Sequence, residues 1–346
     1  DGSIRISNIV PRLSSTIPFS IILNIIMSFI TSLVALMAKR PKIMVISLPG
    51  GHSSLGVMLA SKLLGIKYII DYRDEWEDYL INNTRSAVGR FIYLLIKKIS
   101  TKLYKNAIFV SCVTTGFAKT LKERGIKNII LVPNGADTEV LKPYNRELMK
   151  KLIRVHNHFV IVYMGSFSAY HELEIFIKAL KKLSSDIIKR VKLLILSPDQ
   201  SAAQIKALVK KYGLEEIALF FKAHIEKTKV ARLLSAADVG VIAGLYSENQ
   251  VPVRFYEYCA CGLPVIAIIQ EHYLENSILS KLILKNGIGF VLPTSSIEEI
   301  SRTIQSLFNN QAFLKEMGIK ARKLAKAKFD RRLSSERFLK ELSRSL

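Results

Sequence analysis

Acidic side chains are scarce in this sequence. Its 346 residues include 51 Lys and Arg but only 28 Asp and Glu, which gives a formal net charge of +23 at pH 7. An acidic partner is therefore expected: nucleic acid, an anionic membrane surface or a phosphorylated substrate. The chain has no RNP-like motif, zinc-finger spacing or basic low-complexity tail, so we predict no nucleic-acid partner. A lysine-rich, solvated surface is the alternative explanation of the charge.

Cysteine is scarce as well. Three cysteines are too few and too scattered for a disulfide framework or a zinc site. Cys259 and Cys261 lie two residues apart in a predicted helix, so their side chains face different directions. We interpret both of them, and Cys112, as reduced core residues, which predicts a cytosolic compartment.

Apolar sequence is plentiful by contrast. Hydrophobic residues make up 49% of the chain, enough for the cores of two domains of ordinary size. The uncharged stretch Ile17–Ala38 is long enough to span a bilayer. Within it, Ser20, Asn24, Ser28 and the pair Thr31–Ser32 recur at helical spacing and form a polar stripe. A transmembrane span and a buried or interfacial helix are two open interpretations.

Beyond Pro41, apolar runs rich in β-branched residues alternate with segments of helical periodicity. This alternation predicts parallel sheets with both faces covered. The turn-rich passages Pro133–Asp137 and Lys142–Asn145 mark a domain boundary. Four strands are predicted before it and six after it, so the first domain looks incomplete at its start. The predicted strands are Ile43–Leu48, Lys67–Tyr72, Ile108–Val113, Ile129–Val132, Val160–Met164, Lys192–Leu196, Ala218–Phe221, Val239–Ala243, Val265–Ile268 and Gly289–Leu292.

The segment Glu248–Ile266 carries the clearest local signals for a ligand site. Pro252 can open a helix, and Gly262 can close it. Free backbone N–H groups at the helix start form an anion site suited to a diphosphate. Arg254 and Glu257 share a face, so one could hold phosphate while the other accepts hydrogen bonds from ribose hydroxyls. The alternative is an ordinary Arg–Glu pair on a helix surface.

This segment resembles the signature of glycosyltransferase family 4, a group of retaining enzymes with the GT-B fold. The resemblance extends over roughly Ile43 to Phe329. It implies two Rossmann-like doubly wound α/β domains facing a cleft. It also implies metal-independent sugar transfer of the hexosyltransferase type from a UDP- or GDP-sugar, without a cofactor because the nucleotide-sugar is a substrate. Further pieces match the family pattern in order: Val132–Asp137, Tyr163–Phe167, Leu234–Val239, Asn286–Gly289 and Met317–Gly318.

At the sugar and ribose end of the donor, the resemblance assigns three residues. The second acid of the family's E-x7-E motif binds the donor ribose, and Glu257 occupies that position. The first acid usually contacts the sugar. Here Asn249 stands in its place as a candidate catalytic residue, with Glu248 beside it as a donor-binding candidate. An amide still hydrogen-bonds sugar hydroxyls but brings no negative charge.

At the diphosphate end, the sequence departs from the family pattern. The family places an Arg directly after the first glycine of this domain and a Lys five residues later. After Gly165, this chain has Ser166 and His171 at those positions. Leaving-group stabilisation is then expected to rest on Arg254 and on the helix start at Val253. His171 either adds a positive charge or hydrogen bond, or simply faces solvent at a helix start.

In the first domain, Asp71–Trp76 resembles the D-x-R-D-x-W element of one branch of the family. It follows a strand, so its charged groups are expected at the ligand-binding edge of the sheet. Arg73 stands where many relatives carry a histidine near the reacting sugar, and Asp74 follows it. We assign both as candidate catalytic residues. The alternative is an Arg–Asp pair that braces the loop.

A second strand-to-helix turn, Gly50–Ser54, is predicted at the same edge. Its glycines permit close approach of a ligand, and its N–H groups could bind phosphate. Gly51, His52 and Ser53 are therefore acceptor-side candidates.

The predicted helix Arg85–Lys105 combines basic and large apolar side chains. Such a helix is attracted to an anionic membrane surface, although a core helix with a solvated basic face is the alternative. Together with Ile17–Ala38, it favours peripheral association with the inner, cytoplasmic face of the membrane. That location suggests a lipid-linked or glycan acceptor.

We therefore predict an acceptor-side domain over residues 1–142, a donor domain over 143–329, and a C-terminal helix over 330–346 that packs back toward the first domain. The predicted function is retaining glycosyl transfer. Two alternatives remain: a GT-B sugar-nucleotide epimerase, and a non-catalytic partner subunit of a glycosyltransferase.

Overall fold

The computed structural model describes residues 18–167, 172–223 and 225–345. Its contacts separate two compact units. The first comprises the described residues up to Val132 together with those from Phe338 onward, and the second runs from Pro133 to Arg337.

The first unit is built on a four-stranded parallel sheet with the order β1-β2-β3-β4. All four predicted strands are present. Within the described residues the order runs in one direction, so this sheet contains no reversal of strand order. The elements are α1 (Pro18–Lys39), β1 (Ile43–Leu48), α2 (Ser53–Leu63), β2 (Lys67–Tyr72), α3 (Trp76–Asn83), α4 (Ala87–Tyr104), β3 (Val110–Cys112), α5 (Thr115–Glu123) and β4 (Ile129–Leu131).

Helix α1 packs its polar stripe inward. Ser20, Asn24 and Ser28 are buried, and the Ser28 hydroxyl donates to the carbonyl of Ser53 at 2.6 Å. Close approach is possible because α2 carries Gly56, where an added Cβ would lie 2.5 Å from the Phe29 nitrogen. The opposite face of α1 is apolar and exposed at Ile22, Ile26, Met27, Ile30, Val34 and Met37.

The second unit contains a six-stranded parallel sheet with the order β10-β9-β8-β5-β6-β7. The order reverses between the adjacent strands β5 and β8, as in a doubly wound sheet. The elements are α6 (Arg146–Leu152), β5 (Phe159–Met164), α7 (Leu173–Lys181), α8 (Ser185–Ile188), β6 (Val191–Ser197), α9 (Asp199–Lys211), β7 (Ala218–Lys222), α10 (Lys227–Ser235), β8 (Val239–Ala243), α11 (Val253–Ala260), β9 (Val265–Ile269), α12 (Ile278–Asn286), β10 (Gly289–Pro293), α13 (Ile297–Asn309) and α14 (Gln311–Lys328). Helix α15 (Arg331–Ser345) begins in this unit.

Both faces of the second sheet carry a hydrophobic core. In β5, Ile161 and Tyr163 belong to one cluster, and Val160 and Val162 belong to the other. This alternation follows from the two-residue period of a strand. A continuous apolar run such as Phe159–Met164 is thus buried from both sides, as expected for a parallel sheet.

The chain divides earlier than the sequence-based boundary at 142/143. The guanidinium of Arg322 donates to the carbonyls of Thr138 and Leu141 at 2.9 Å each, and Ala136 pairs with Asp330. These contacts tie residues 133–142 and the start of α15 to the second unit. From Phe338 onward α15 groups with the first unit, where the Phe338 ring packs edge-on against Phe109.

Candidate functional site

The carboxyl ends of β5 and β8, where the strand order reverses, form the donor-side candidate. The β5–β8 ladder ends at the pair Tyr163↔Val241. There the Tyr258 hydroxyl, on α11, accepts from the Met164 N–H at 2.9 Å. The Tyr258 ring lies against Gly240, where a Cβ would sit 2.6 Å from ring carbon Cδ2. Tyr258 thus fixes α11 against the point of strand reversal.

Arg254, on the first turn of α11, reaches across the end of β5. Its Nη1 donates to the Met164 carbonyl at 2.7 Å, and its guanidinium lies 5.6 Å from the centre of the Tyr163 ring. Gly165 makes this possible, since its φ is +150° and an added Cβ would lie 2.1 Å from Nη1. The backbone therefore holds the guanidinium beside the helix start at Val253, so two donors of positive potential coincide.

Glu257 lies one turn further along α11, and its side chain is only 8% exposed. Its Oε1 accepts from the Lys227 ammonium at 2.6 Å, while the Lys227 side chain remains 57% exposed. The predicted ribose-binding carboxylate is thus buried but paired with a cation that reaches it from the solvent side. A buried carboxylate requires such a partner.

The loop before α11 carries the other donor candidates. Glu248 is exposed, and its carbonyl accepts from the N–H of Ile278, the first residue of α12, at 2.8 Å. The Asn249 N–H donates to the Ser247 hydroxyl at 3.1 Å. Ser166 follows Gly165, and its carbonyl accepts from the Tyr163 hydroxyl at 3.0 Å.

His171, the remaining donor-side candidate, lies outside the described residues. Its assignment stays a prediction.

In the first unit, Asp71 at the end of β2 is a centre of hydrogen bonding. Its carboxylate accepts from Ser47 of β1 at 3.1 Å and from Ser111 of β3 at 2.9 Å. Arg73 donates to the same carboxylate at 3.3 Å, and its N–H donates to the Leu48 carbonyl at 3.2 Å. The loop-bracing alternative for Arg73 therefore has a structural basis, although the partner is Asp71 rather than Asp74.

Asp74 and Glu75 follow in a partly buried loop. Burial, with the negative charge of Glu75 adding to it, raises the pKa of the Asp74 carboxyl to about 6. The Glu75 carboxylate accepts from the Thr120 hydroxyl at 3.0 Å. An Asp whose pKa approaches neutrality is suited to proton transfer, which is the property expected of a catalytic carboxylate.

The rest of the D-x-R-D-x-W element anchors this loop. The Trp76 indole donates to the Tyr104 hydroxyl at 3.2 Å, and that hydroxyl donates to Glu77 at 2.9 Å. Arg124 completes the network with a buried ion pair to Glu77 at 3.0 Å. Trp76 and the adjoining Glu77 are therefore structural, while Arg73 and Asp74 stay nearer the surface.

The acceptor-side candidates occupy the turn between β1 and α2. Gly51 has φ +64°, a backbone conformation that favours glycine, and space is open where a Cβ would lie. His52 is only 7% exposed, its ring stacks on Tyr93, and burial lowers the pKa of its imidazole. The Ser53 carbonyl accepts from Ser28. The buried His52 supports the turn from beneath, whereas Gly51 faces open space.

Sequence reasoning did not identify Tyr258 or Lys227. Tyr258 lies inside the segment Glu248–Ile266, but only the structure reveals that its hydroxyl accepts a hydrogen bond from Met164 at the end of β5. Lys227 is 30 residues from Glu257 along the chain. A lone lysine at a helix start gives no local signal for such a pair.

Two α/β units with parallel sheets, the second with the start of α11 and the Arg254 guanidinium at its reversal of strand order, define the architectural class. Solved glycosyltransferases share this GT-B architecture. Sucrose-phosphate synthase from Thermosynechococcus elongatus has a TM-score of 0.70 at 19% identity, with 92% of this chain and 78% of that chain covered. Anabaena HepE in complex with UDP-glucose has a TM-score of 0.71 at 14% identity, with coverages of 91% and 81%. WaaG, a glycosyltransferase involved in lipopolysaccharide biosynthesis, has a TM-score of 0.63 at 15% identity, with coverages of 90% and 94%.

The chain belongs to the glycosyl transferases group 1 family, whose model matches residues 145–324. It is also similar to an uncharacterized glycosyltransferase of Methanocaldococcus jannaschii, with 21% identity over 258 residues. That alignment covers 74% of this chain and 63% of the relative, so the chain spans less than two thirds of the relative's length.

Proposed function

We propose that the protein is a retaining glycosyltransferase of family 4. It moves a sugar from a UDP- or GDP-sugar to a lipid-linked or glycan acceptor, without a metal, at the cytoplasmic face of the membrane. The observation that carries this proposal is the placement of Arg254 at the reversal of strand order, held on the Met164 carbonyl and lying across Gly165.

The donor diphosphate has a suitable site at the start of α11. Backbone N–H groups there are aligned with the helix dipole, and Arg254 adds a full charge beside them. Glu257 then lies one turn away for the ribose hydroxyls. As the glycosidic bond to the leaving phosphate breaks, negative charge grows on the diphosphate, and this arrangement stabilises it. HepE was crystallised with UDP-glucose, which supports a uridine nucleotide as the first candidate.

Catalytic roles are proposed for Asn249 in the second unit and for Arg73 and Asp74 in the first. Asn249 offers an amide to sugar hydroxyls. Asp74, ionised at neutral pH but with a pKa of about 6, is suited to accept a proton from a hydroxyl that attacks the donor sugar.

A membrane-bound acceptor is supported by the surface of the first unit. α4 exposes large apolar side chains in addition to the apolar face of α1. Basic residues accompany both helices. An anionic lipid surface attracts such a combination through apolar burial and through charge. The exposed apolar residues of α4 are Val88, Phe91, Leu94, Leu95 and Ile99, and the exposed basic residues nearby are Lys39, Arg40, Arg85, Arg90, Lys98, Lys102 and Lys105.

Nucleotide binding provides the first test. A thermal-shift series with UDP, GDP and their sugars is expected to give stabilisation by one nucleotide. At a concentration 100 times its dissociation constant, the ligand adds about 2.7 kcal/mol to the free energy of unfolding. Glu257→Ala is expected to reduce that stabilisation strongly, since the ribose loses its acceptor. Glu147→Ala is the matched control because Glu147 is an exposed carboxylate on α6 of the same unit, outside the proposed donor site.

The results separate the alternatives. No stabilisation by any nucleotide would contradict donor binding and favour a non-catalytic partner subunit. Ser166 and Asn249 would agree with that result, because these uncharged residues stand where the family pattern has an Arg and an acid. Binding followed by interconversion of free sugar nucleotides would identify an epimerase. Binding followed by transfer with retained anomeric configuration is the expected result.

A further inference from the structure

We infer that Lys227 is a further donor-site residue. It fixes the Glu257 carboxylate for the ribose hydroxyls and places a positive charge beside the diphosphate. The inference rests on the proposed function, because it concerns the same nucleotide site.

Lys227 and Glu257 form an ion pair. The Lys227 Nζ lies 2.6 Å from Glu257 Oε1. Since the carboxylate is buried, removing its counter-ion would leave a desolvated charge, which is unfavourable. Ribose hydroxyls are neutral and cannot replace that cation. Lys227 is therefore expected to stay paired when a nucleotide binds, and so to belong to the bound site.

Lys227 also fixes the orientation of the Glu257 carboxylate. The Lys227 ammonium donates a hydrogen bond to one carboxylate oxygen, Oε1, and this bond restricts rotation of the Glu257 carboxylate. Oε2 is then presented in a fixed direction to a hydroxyl donor. An ammonium has three N–H donors, so Lys227 can itself donate to a ribose or phosphate oxygen without leaving Glu257.

The covalent structure of the ligand brings the Lys227 charge near the diphosphate. In a nucleoside diphosphate the first phosphate is joined to the ribose through a single oxygen and carbon. The Lys227 ammonium, beside the ribose-binding carboxylate, is therefore separated from the diphosphate by no more than the ribose ring. The Lys227 charge adds to that of Arg254, in a site where Ser166 and His171 replace the Arg and Lys expected from the family pattern. Because the Lys227 side chain is 57% exposed, its effect is expected to be moderate and sensitive to salt.

The role of Lys227 in nucleotide binding is tested by calorimetric titration of the full chain with UDP and with uridine. GDP and guanosine are titrated in parallel. Lys227→Met is expected to weaken UDP binding about tenfold at low salt, the usual value of one hydrogen bond to a charged group. Uridine binding should weaken less, because only the orienting effect on Glu257 is lost. The salt dependence of UDP binding should also become shallower.

Two variants complete the design. Lys227→Arg keeps the charge and the hydrogen bond and should restore UDP binding. Lys229→Met, an exposed lysine on the same helix, should leave it unchanged. Unchanged or tighter UDP binding by Lys227→Met would overturn the inference, since Lys227 would then merely compete with the ribose for Glu257. Equal losses for UDP and uridine would overturn its diphosphate part. If the wild-type protein binds no nucleotide, the proposed function fails together with this inference.

Discussion

At the scale of single residues, the burial of Asp74 makes the free energy of unfolding depend on pH. Burial and Glu75 raise the pKa of its carboxyl from 3.8 to about 6, whereas in the unfolded chain the carboxyl loses its proton near pH 4. Between about pH 4 and pH 6 the folded state therefore binds more protons than the unfolded state. The contribution of Asp74 to the free energy of unfolding falls as pH rises through that window and is constant above it.

Well above pH 6, Asp74→Asn is expected to raise the free energy of unfolding by up to about 3 kcal/mol, because the amide carries no charge to desolvate. This advantage should vanish toward pH 4. Urea unfolding followed by the fluorescence of Trp76, the single tryptophan, reports on the first unit. Asp186→Asn, which alters an exposed carboxylate in the second unit, is the control. A difference from wild type that does not vary with pH would contradict the assignment of the shift to Asp74.

At the scale of elements, sequence periodicity located the strands well. β1, β2 and β8 coincide with their predicted bounds, because each is a short β-branched run flanked by turn residues. Helix α12 was not predicted from the sequence, although Ser277 caps its start and Gly287, with φ +56°, closes its end. Burial of the α1 polar stripe was also unspecified, since a stripe of Ser and Asn does not state which side meets protein. The partner that decides it is Gly56 of α2.

Gly56→Ala tests the packing of α1 on α2. The new Cβ would lie 2.5 Å from the Phe29 nitrogen and 2.6 Å from the Ile25 carbonyl oxygen. Both are backbone atoms, so α1 must move away, and we expect a loss of about 2 kcal/mol in the free energy of unfolding. Gly89→Ala is the matched control in α4, where the Cβ would meet the Thr84 hydroxyl at 3.0 Å. Unaltered stability of Gly56→Ala by Trp76 fluorescence would show that α1 does not depend on this contact.

At the scale of the whole molecule, sequence alone predicted two parallel α/β sheets and a ligand site at Arg254 and Glu257. It could not predict contacts between residues far apart in the chain, such as Lys227 with Glu257 or Arg322 with the carbonyls of Thr138 and Leu141. Such contacts arise from the folded path of the backbone, and no local pattern specifies them. The same limit applies to surfaces, because periodicity predicts an apolar face without stating whether protein covers it.

The exposed apolar and basic surface of the first unit leads to a prediction about membranes. Phe91 and Leu95 on α4 are 62% and 44% exposed, so replacing both with Asn should change the free energy of unfolding little. The same change should weaken binding to phosphatidylcholine vesicles containing phosphatidylglycerol, because buried apolar area is lost. Binding should also fall as salt rises, since each well-placed basic residue contributes about 1 kcal/mol through screened attraction.

Co-sedimentation with these vesicles measures the effect. Leu284→Asn is the matched control, since Leu284 is 60% exposed but lies on α12 of the second unit. Vesicles of pure phosphatidylcholine separate the apolar contribution from the charge contribution. If the wild-type protein stays in solution with anionic vesicles at low salt, the apolar surface of the first unit must serve another partner. The proposed lipid-linked acceptor would then lose its physical basis, while the proposal of nucleotide binding at Arg254 and Glu257 would be unaffected.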